Sequence, residues 1–160
     1  YNGLCRYNRK GGFNVPFGRY VQPRFPAAEF AAFRTFLKRA ETCCSDFRPI
    51  ISRAGRGDLV YCDPPYSPLS QTANFTSYAR GGFSHQDQIE LVTACRDAAA
   101  RGAFVVISNH DTAVTRELYA GASRLVELQV SRQISCNGAN RKKAAELLAV
   151  YAPVPIASAR

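Results

Sequence analysis

Methionine is absent from this 160-residue sequence, so the chain lacks an initiator and reads as a fragment of a longer protein or a processed product. No apolar run approaches the roughly 20 residues that a membrane-spanning helix requires, and no signal-peptide pattern opens the chain. A membrane partner is therefore not expected. Histidine occurs only at His85 and His110, and the six cysteines contain no C-x-x-C pair. Zinc-ligand spacing is missing, so no metal is expected. Cys62 and Cys95 sit in apolar segments, where a thiol acts as a small hydrophobe. The cysteines together suggest reduced, mostly structural thiols in a cytoplasmic protein.

Acidic residues are absent before Glu29, whereas Arg6, Arg9, Lys10, Arg19 and Arg24 precede it. Over the whole chain 21 Lys and Arg oppose 12 Asp and Glu, giving a net charge of +9. Such a balance favours a polyanionic partner such as nucleic acid, with a solvated basic tail as the plainer alternative. Length and a 46% apolar composition suit a soluble globular domain with a sizeable core.

Residues 1–24 mix glycine, aromatics, asparagine and cations. Arg9-Lys10-Gly11-Gly12 is a turn signal, so a hairpin or ordered loop is expected there. PAAEFAAFRTFLKRAETC follows as an amphipathic helix, with Pro26 in its first turn and Phe30, Phe33, Leu37 and Ala40 on one stripe. Ser84-His85-Gln86-Asp87 reads as a capping box. Ile89, Val92, Cys95 and Ala99 mark the buried face of the next helix, which Gly102 ends. AFVVIS (103–108) is a continuous apolar strand cut by Asn109-His110-Asp111, before a short helix over 114–119 and a strand LVELQV over 125–130. Strand, helix and strand in succession predict a parallel sheet with crossover helices. AAELLAVY has helical propensity, yet the six apolar residues in a row from Leu147 to Ala152 could equally be a strand.

The sharpest signal is LVYCDPPYSP, residues 59–68. Leu59-Val60-Tyr61-Cys62 is a short buried strand, and the two prolines stop it abruptly. Asp63 then stands at a strand's carboxyl end, where open α/β sheets bind ligands. A nucleobase amino group is a poor nucleophile because its lone pair is delocalised into the ring. It reacts when two acceptors take its hydrogens and turn the lone pair out of the plane. Asp63 offers a carboxylate oxygen, the Pro64 carbonyl a second acceptor, and Tyr66 a ring face for stacking. His110 has no nucleophile partner in sequence, which argues against a hydrolase triad.

The tetrad Asp63-Pro64-Pro65-Tyr66 resembles the [DNS]-P-P-[YFW] signature of amino-methyltransferases. With YNGLCRYNRKGGFNVPFGRY, YCDPPYSPLSQTANFTSYARGGF, ISNHDT and ISCNGANRKKAAELLAVY, the chain is similar, in order and over essentially its whole length, to the DNA adenine methyltransferase family. That resemblance implies an α/β, Rossmann-like S-adenosylmethionine-dependent methyltransferase sheet, incomplete at the N-terminus, with an inserted helical and hairpin DNA-recognition region. Residues 1–50 would be the target-recognition region and 51–160 the C-terminal part of the catalytic domain. The implied activity is methyl transfer to the N6 amino group of adenine flipped from duplex DNA, with GATC the suggested target. Asp63, Pro64, Pro65 and Tyr66 would be catalytic, with Asp63 also against the cofactor.

Arg6 would read a guanine edge, and Asn8, Pro16, Arg19 and Tyr20 match positions of base or backbone contact. Arg9 and Lys10 would meet phosphates, and Tyr1 and Asn2 would fill the gap left by the extruded base. The loop 67–82 would close around base and DNA. Asn137, Gly138 and Arg141 would flank the base-binding loop, and ELLAVY would be the sheet's reversed edge hairpin strand. A monomer in the cytoplasm of a bacterial or phage-infected cell, at the nucleoid, is implied. The family's F-x-G-x-G cofactor block is missing from this chain, so the chain alone should bind S-adenosylmethionine poorly. Two other readings stay open: a non-catalytic DNA-binding module, and an amino-methyltransferase acting on cytosine or RNA.

Overall fold

In the computed structural model, residues 5–8, 10–17, 21–22, 25–67, 82–131 and 143–153 are described. They fall into two units, residues 1–44 and 45–160. The recognition region expected to end at residue 50 thus meets a structural division after Cys44. The short helix α2 (Phe47–Ile51) belongs to the second unit, buries Ile51, and is capped by Asp46.

Within the first unit, Tyr7 and Phe13 pair as an antiparallel bridge around a turn. Gly11 takes the left-handed φ of +78° that the turn requires. Asn8 closes it, its Oδ1 accepting from Lys10 N at 2.9 Å and Gly12 N at 3.0 Å. Helix α1 (Ala27–Leu37) follows, with Pro26 as its N-cap. Ala40 lies beyond the helix, and no residue of α1 is buried; Phe30 and Phe33 are more than half exposed. The apolar stripe expected from the sequence is therefore largely exposed.

The second unit is built on a four-stranded sheet in the order β1-β2-β4-β3, with β1 Leu59–Cys62, β2 Phe104–His110, β3 Arg124–Ser131 and β4 Lys143–Tyr151. Strands β1 and β2 are parallel and joined through α3 (His85–Ala100), as the strand–helix–strand pattern predicts. But β1 is not the buried strand expected: Leu59 and Tyr61 are exposed and only Val60 and Cys62 turn toward the core. Beyond β2 the sheet is mixed, because β4 inserts antiparallel between β2 and β3. The reversed hairpin strand expected of ELLAVY is present, although β3 rather than β4 holds the outer position. Interior burial explains why β4 overrides its helical propensity: Ala144, Leu147, Ala149 and Tyr151 all enter the core.

Helix α3 starts at the expected capping box, Ser84 Oγ accepting from Asp87 N while the Asp87 carboxylate accepts from Ser84 N. Its buried face is rotated from the one expected. Val92, Cys95 and Ala99 are buried, but Ile89 is 38% exposed and Gln88 and Leu91 point inward instead. Strand β2 continues through Asn109 and His110 rather than stopping before them, and helix α4 (Ala113–Leu118) is capped by Thr112. Of the five described cysteines, Cys62 and Cys95 pack in the interior, 3.7 Å apart at sulfur. Cys5, Cys43 and Cys44 are exposed rather than structural.

Candidate active site

Strand register creates the site. Strand β1 ends at Cys62, opposite Ile107, so Ser108, Asn109 and His110 of β2 run on past it and flank Asp63 to Ser67. Each of the three holds a different part of that segment. Ser108 Oγ donates to Asp63 Oδ1 at 3.0 Å and to the Cys62 carbonyl at 3.3 Å. Asn109 Oδ1 accepts from Ser67 N at 2.8 Å. His110 Nδ1 sits 2.7 Å from the Ser67 carbonyl, which can only accept, so that nitrogen carries the hydrogen.

Asp63 is exposed at the strand's carboxyl end. Among the described residues nothing donates to its Oδ2 or to the Pro64 carbonyl, although Pro64, unlike Asp63, is buried. The Tyr66 ring stands edge-on to His110, with centroids 4.9 Å apart and planes at 83°. Its hydroxyl reaches Glu146 Oε2 at 3.5 Å, the outer limit of a hydrogen bond. Glu146 lies directly across from His110 in the β2–β4 register. Partial burial raises the Tyr66 phenol above its ordinary range, so it is neutral at physiological pH.

Below this surface lies a polar chain that the sequence reading missed. Gln88 Nε2 donates to the Pro65 carbonyl at 2.8 Å, Asn109 Nδ2 to Gln88 Oε1 at 3.3 Å, and Asn109 Nδ2 to the Tyr119 hydroxyl at 2.9 Å. Burial pushes the Tyr119 phenol up to about 12. Gln88 was detectable as the one polar side chain on the stripe Gln88-Leu91-Val92-Cys95. Ser108 and Glu146 carried no comparable signal. Asp111, the end of the ISNHD segment, is taken up by Arg116, which bonds both its oxygens at 2.6 and 2.7 Å and also Glu127. That pairing lowers the Asp111 carboxyl and gives it a structural occupation.

In the separate hairpin, Arg6 turns its fork back on its own unit. Its Nε donates to Asn14 Oδ1 and its Nη2 to the Asn14 carbonyl, both at 3.0 Å. Asn8 is engaged in the turn through Oδ1, while Lys10 and Pro16 are exposed. Tyr1, Asn2, Arg9, Arg19 and Tyr20 lie outside the described residues. So do most of the 67–82 loop and Asn137, Gly138 and Arg141.

Comparison with known proteins returns the same chemistry. The chain is 52% identical over 154 residues to the DNA adenine methylase of Vibrio cholerae serotype O1, covering 96% of this chain and 55% of that protein. It is 48% identical over 160 residues to the DNA adenine methylase of Escherichia coli (strain K12), covering all of this chain and 57% of that protein. The Serratia marcescens protein of the same name is 47% identical over 152 residues, 94% of this chain and 56% of its own. The chain thus spans a little over half the length of these curated relatives. Residues 1–134 match the model of the D12 class N6 adenine-specific DNA methyltransferases. With a DPPY tetrad at the end of a parallel strand and a match covering most of its length, the chain belongs to the D12 class N6 adenine-specific DNA methyltransferase family.

Proposed function

We propose that the whole protein methylates the N6 amino group of adenine in duplex DNA, with GATC as target and S-adenosylmethionine as donor. The observation that carries this reading is the exposed Asp63 carboxylate at a strand end, followed by the undonated Pro64 carbonyl and the Tyr66 ring, in a chain of this family. Bound donor would supply a methyl group on a sulfonium, which an adjacent carboxylate tolerates electrostatically. The acceptors take the two amino hydrogens and draw the nitrogen out of conjugation while Tyr66 stacks on the extruded base. Held beside Asp63, the donor would supply its methyl for direct displacement, the thioether keeping the carbon–sulfur electron pair and the methylated amine releasing one proton to solvent, so no covalent protein intermediate would form.

Residues of this chain fit one side of a cofactor pocket. Asp63 presents its carboxylate there, but no described connection is a glycine-rich turn that follows a strand and opens a helix. The chain from β1 toward α3 passes through DPPYS, and that from β2 to α4 through Asp111-Thr112. Titrated alone with S-adenosylmethionine, the 160-residue chain is therefore expected to give no micromolar binding. The hairpin is the proposed DNA reader: Arg6, Asn8 and Pro16 toward bases and backbone, Lys10 and Arg9 toward phosphates, with Arg19, Tyr20, Tyr1 and Asn2 completing the contact set. For Arg6 to grip a guanine edge it must release at least one bond to Asn14. Residues 1–50 as recognition region, a monomeric state and a place in the bacterial cytoplasm complete the proposal.

The test is product analysis on a GATC duplex with the whole protein and its Asp63→Ala variant. N6-methyladenine from the first, and intact DNA binding without methylation from the second, support the reading. N4-methylcytosine, or binding with no product from either, overturns it.

A further inference from the structure

Gln88 and Asn109 are almost fully buried amides, 1% and 0% exposed, in a core otherwise apolar apart from a few hydroxyls. Burying an amide is unfavourable unless its hydrogen bonds are replaced, and removing one amide of a bonded set leaves its buried partners unsatisfied. Their bonds converge on one place. Gln88 takes the Pro65 carbonyl and Asn109 takes Ser67 N, so the two amides grip the backbone on either side of Tyr66.

The direction of the chain is determined at both ends. Ser67 N and His110 N both donate to Asn109 Oδ1, so that oxygen cannot trade places with Nδ2. The Pro65 carbonyl only accepts, so Gln88 must face it with Nε2. What remains, Asn109 Nδ2 and Gln88 Oε1, is a matching donor and acceptor. Neither amide can flip without breaking bonds at the tetrad, and Tyr119 anchors the far side from the end of α4.

We propose that Gln88 and Asn109 are positioning residues for methyl transfer: they fix the Pro65–Ser67 backbone, and through it the Tyr66 ring and the adjoining Pro64 carbonyl. This role rests on the adenine-methylation reading above. Both amides act through the segment they hold, and neither reaches the exposed surface where a base would lie. Small misplacements of groups that orient a reacting atom reduce turnover far more than they reduce substrate binding.

The test uses the whole protein with Gln88→Met and Asn109→Leu, each close to the original side chain in volume. Turnover and KM for a GATC duplex are measured together with melting temperature and hydrogen exchange at the Ser67 amide. Gln88→Met should lower kcat by about tenfold with KM for DNA within about twofold. Asn109→Leu should lower kcat by about a hundredfold and speed Ser67 amide exchange by at least about tenfold. Unchanged kcat per folded molecule in Gln88→Met overturns the role, as does a raised KM at constant kcat. If Asn109→Leu does not fold, Gln88→Met decides alone. A wild-type protein that forms no N6-methyladenine defeats the functional reading and this role with it, whereas an active wild type with an unaffected Gln88→Met defeats this role only.

Discussion

Ser108 Oγ lies 3.0 Å from Asp63 Oδ1, a contact that exists only because β2 runs on past the end of β1. The hydroxyl occupies one carboxylate oxygen of this exposed residue and leaves the other without a donor among the described residues. A hydrogen bond to a charged acceptor is stronger than a neutral one. The bond restrains the Asp63 side chain and, under the proposed function, would select which oxygen meets the amine.

Ser108→Ala removes that selection without enlarging the core by more than an oxygen atom. In the whole protein it is expected to reduce single-turnover methyl transfer by about tenfold, the modest end of the range for charged hydrogen bonds because Asp63 is exposed. Duplex affinity should not change. Equal rates for the variant and the wild type would mean that the Asp63 carboxylate is held by something other than Ser108.

For Tyr66 the ring, not the hydroxyl, carries the expected function. Its hydroxyl contact with Glu146 is long, whereas its face is the proposed stacking surface. Tyr66→Ala should lower kcat/KM by roughly 5- to 150-fold, the equivalent of about 1–3 kcal/mol of base stacking. Tyr66→Phe should stay within about threefold of wild type. Because burial raises the phenol above its ordinary value, it does not ionise between about pH 6 and 9. Wild type and Tyr66→Phe should therefore share one pH–rate profile over that range, and a basic limb missing only from the Phe variant would contradict this.

Much of this site was legible from local pattern. An apolar tetrapeptide followed by two prolines identifies a strand end, and Ser84 with Asp87 identifies a helix start, because both signals lie within a few residues. Gln88 and Ser108 were missed because their partners are 23 and 45 residues away and are set by strand register and helix rotation. Rotation also explains Ile89: a stripe shifted by one position satisfies the same helical period. In β4, propensity pointed to helix, and the alternate burial of Leu147, Ala149 and Tyr151 on one face, with pairing on both edges, decided for strand. The α1 stripe shows the converse, since periodicity locates an apolar face but says nothing of what covers it.

Acid should loosen the start of α3. Ser84 lowers the Asp87 carboxyl most, with Arg48 adding to it, and together they bring it down to about 2 from 3.8. A depressed carboxylate contributes stability that is complete above the unfolded value and is lost as pH falls through the folded one. The window thus runs from about 4 down to 2. Melting temperatures across it should fall more steeply for wild type than for Asp87→Asn, whose amide oxygen still accepts from Ser84 but does not titrate. Parallel slopes would assign the acid sensitivity to other carboxylates, such as Glu90 or Asp46, which Arg48 also holds.

Tyr151 is the one described side chain with a buried polar atom lacking a hydrogen-bond partner. It closes β4 opposite Val105, is 3% exposed, and its ring belongs to the main core. Burial drives its phenol well above the ordinary range, so the hydroxyl keeps its proton with nothing among the described residues to receive it. A buried donor left unsatisfied costs about 1–3 kcal/mol, whereas the ring's packing is independent of the oxygen. Tyr151→Phe should thus leave the core's shape intact and raise unfolding free energy by about 1 kcal/mol, read as a higher urea midpoint at unchanged slope. Tyr151→Ala should instead lower it by about 3–5 kcal/mol through the cavity left between β4 and the helices. A loss of stability in the Phe variant would show that the hydroxyl is bonded in solution, through water or through residues beyond those described.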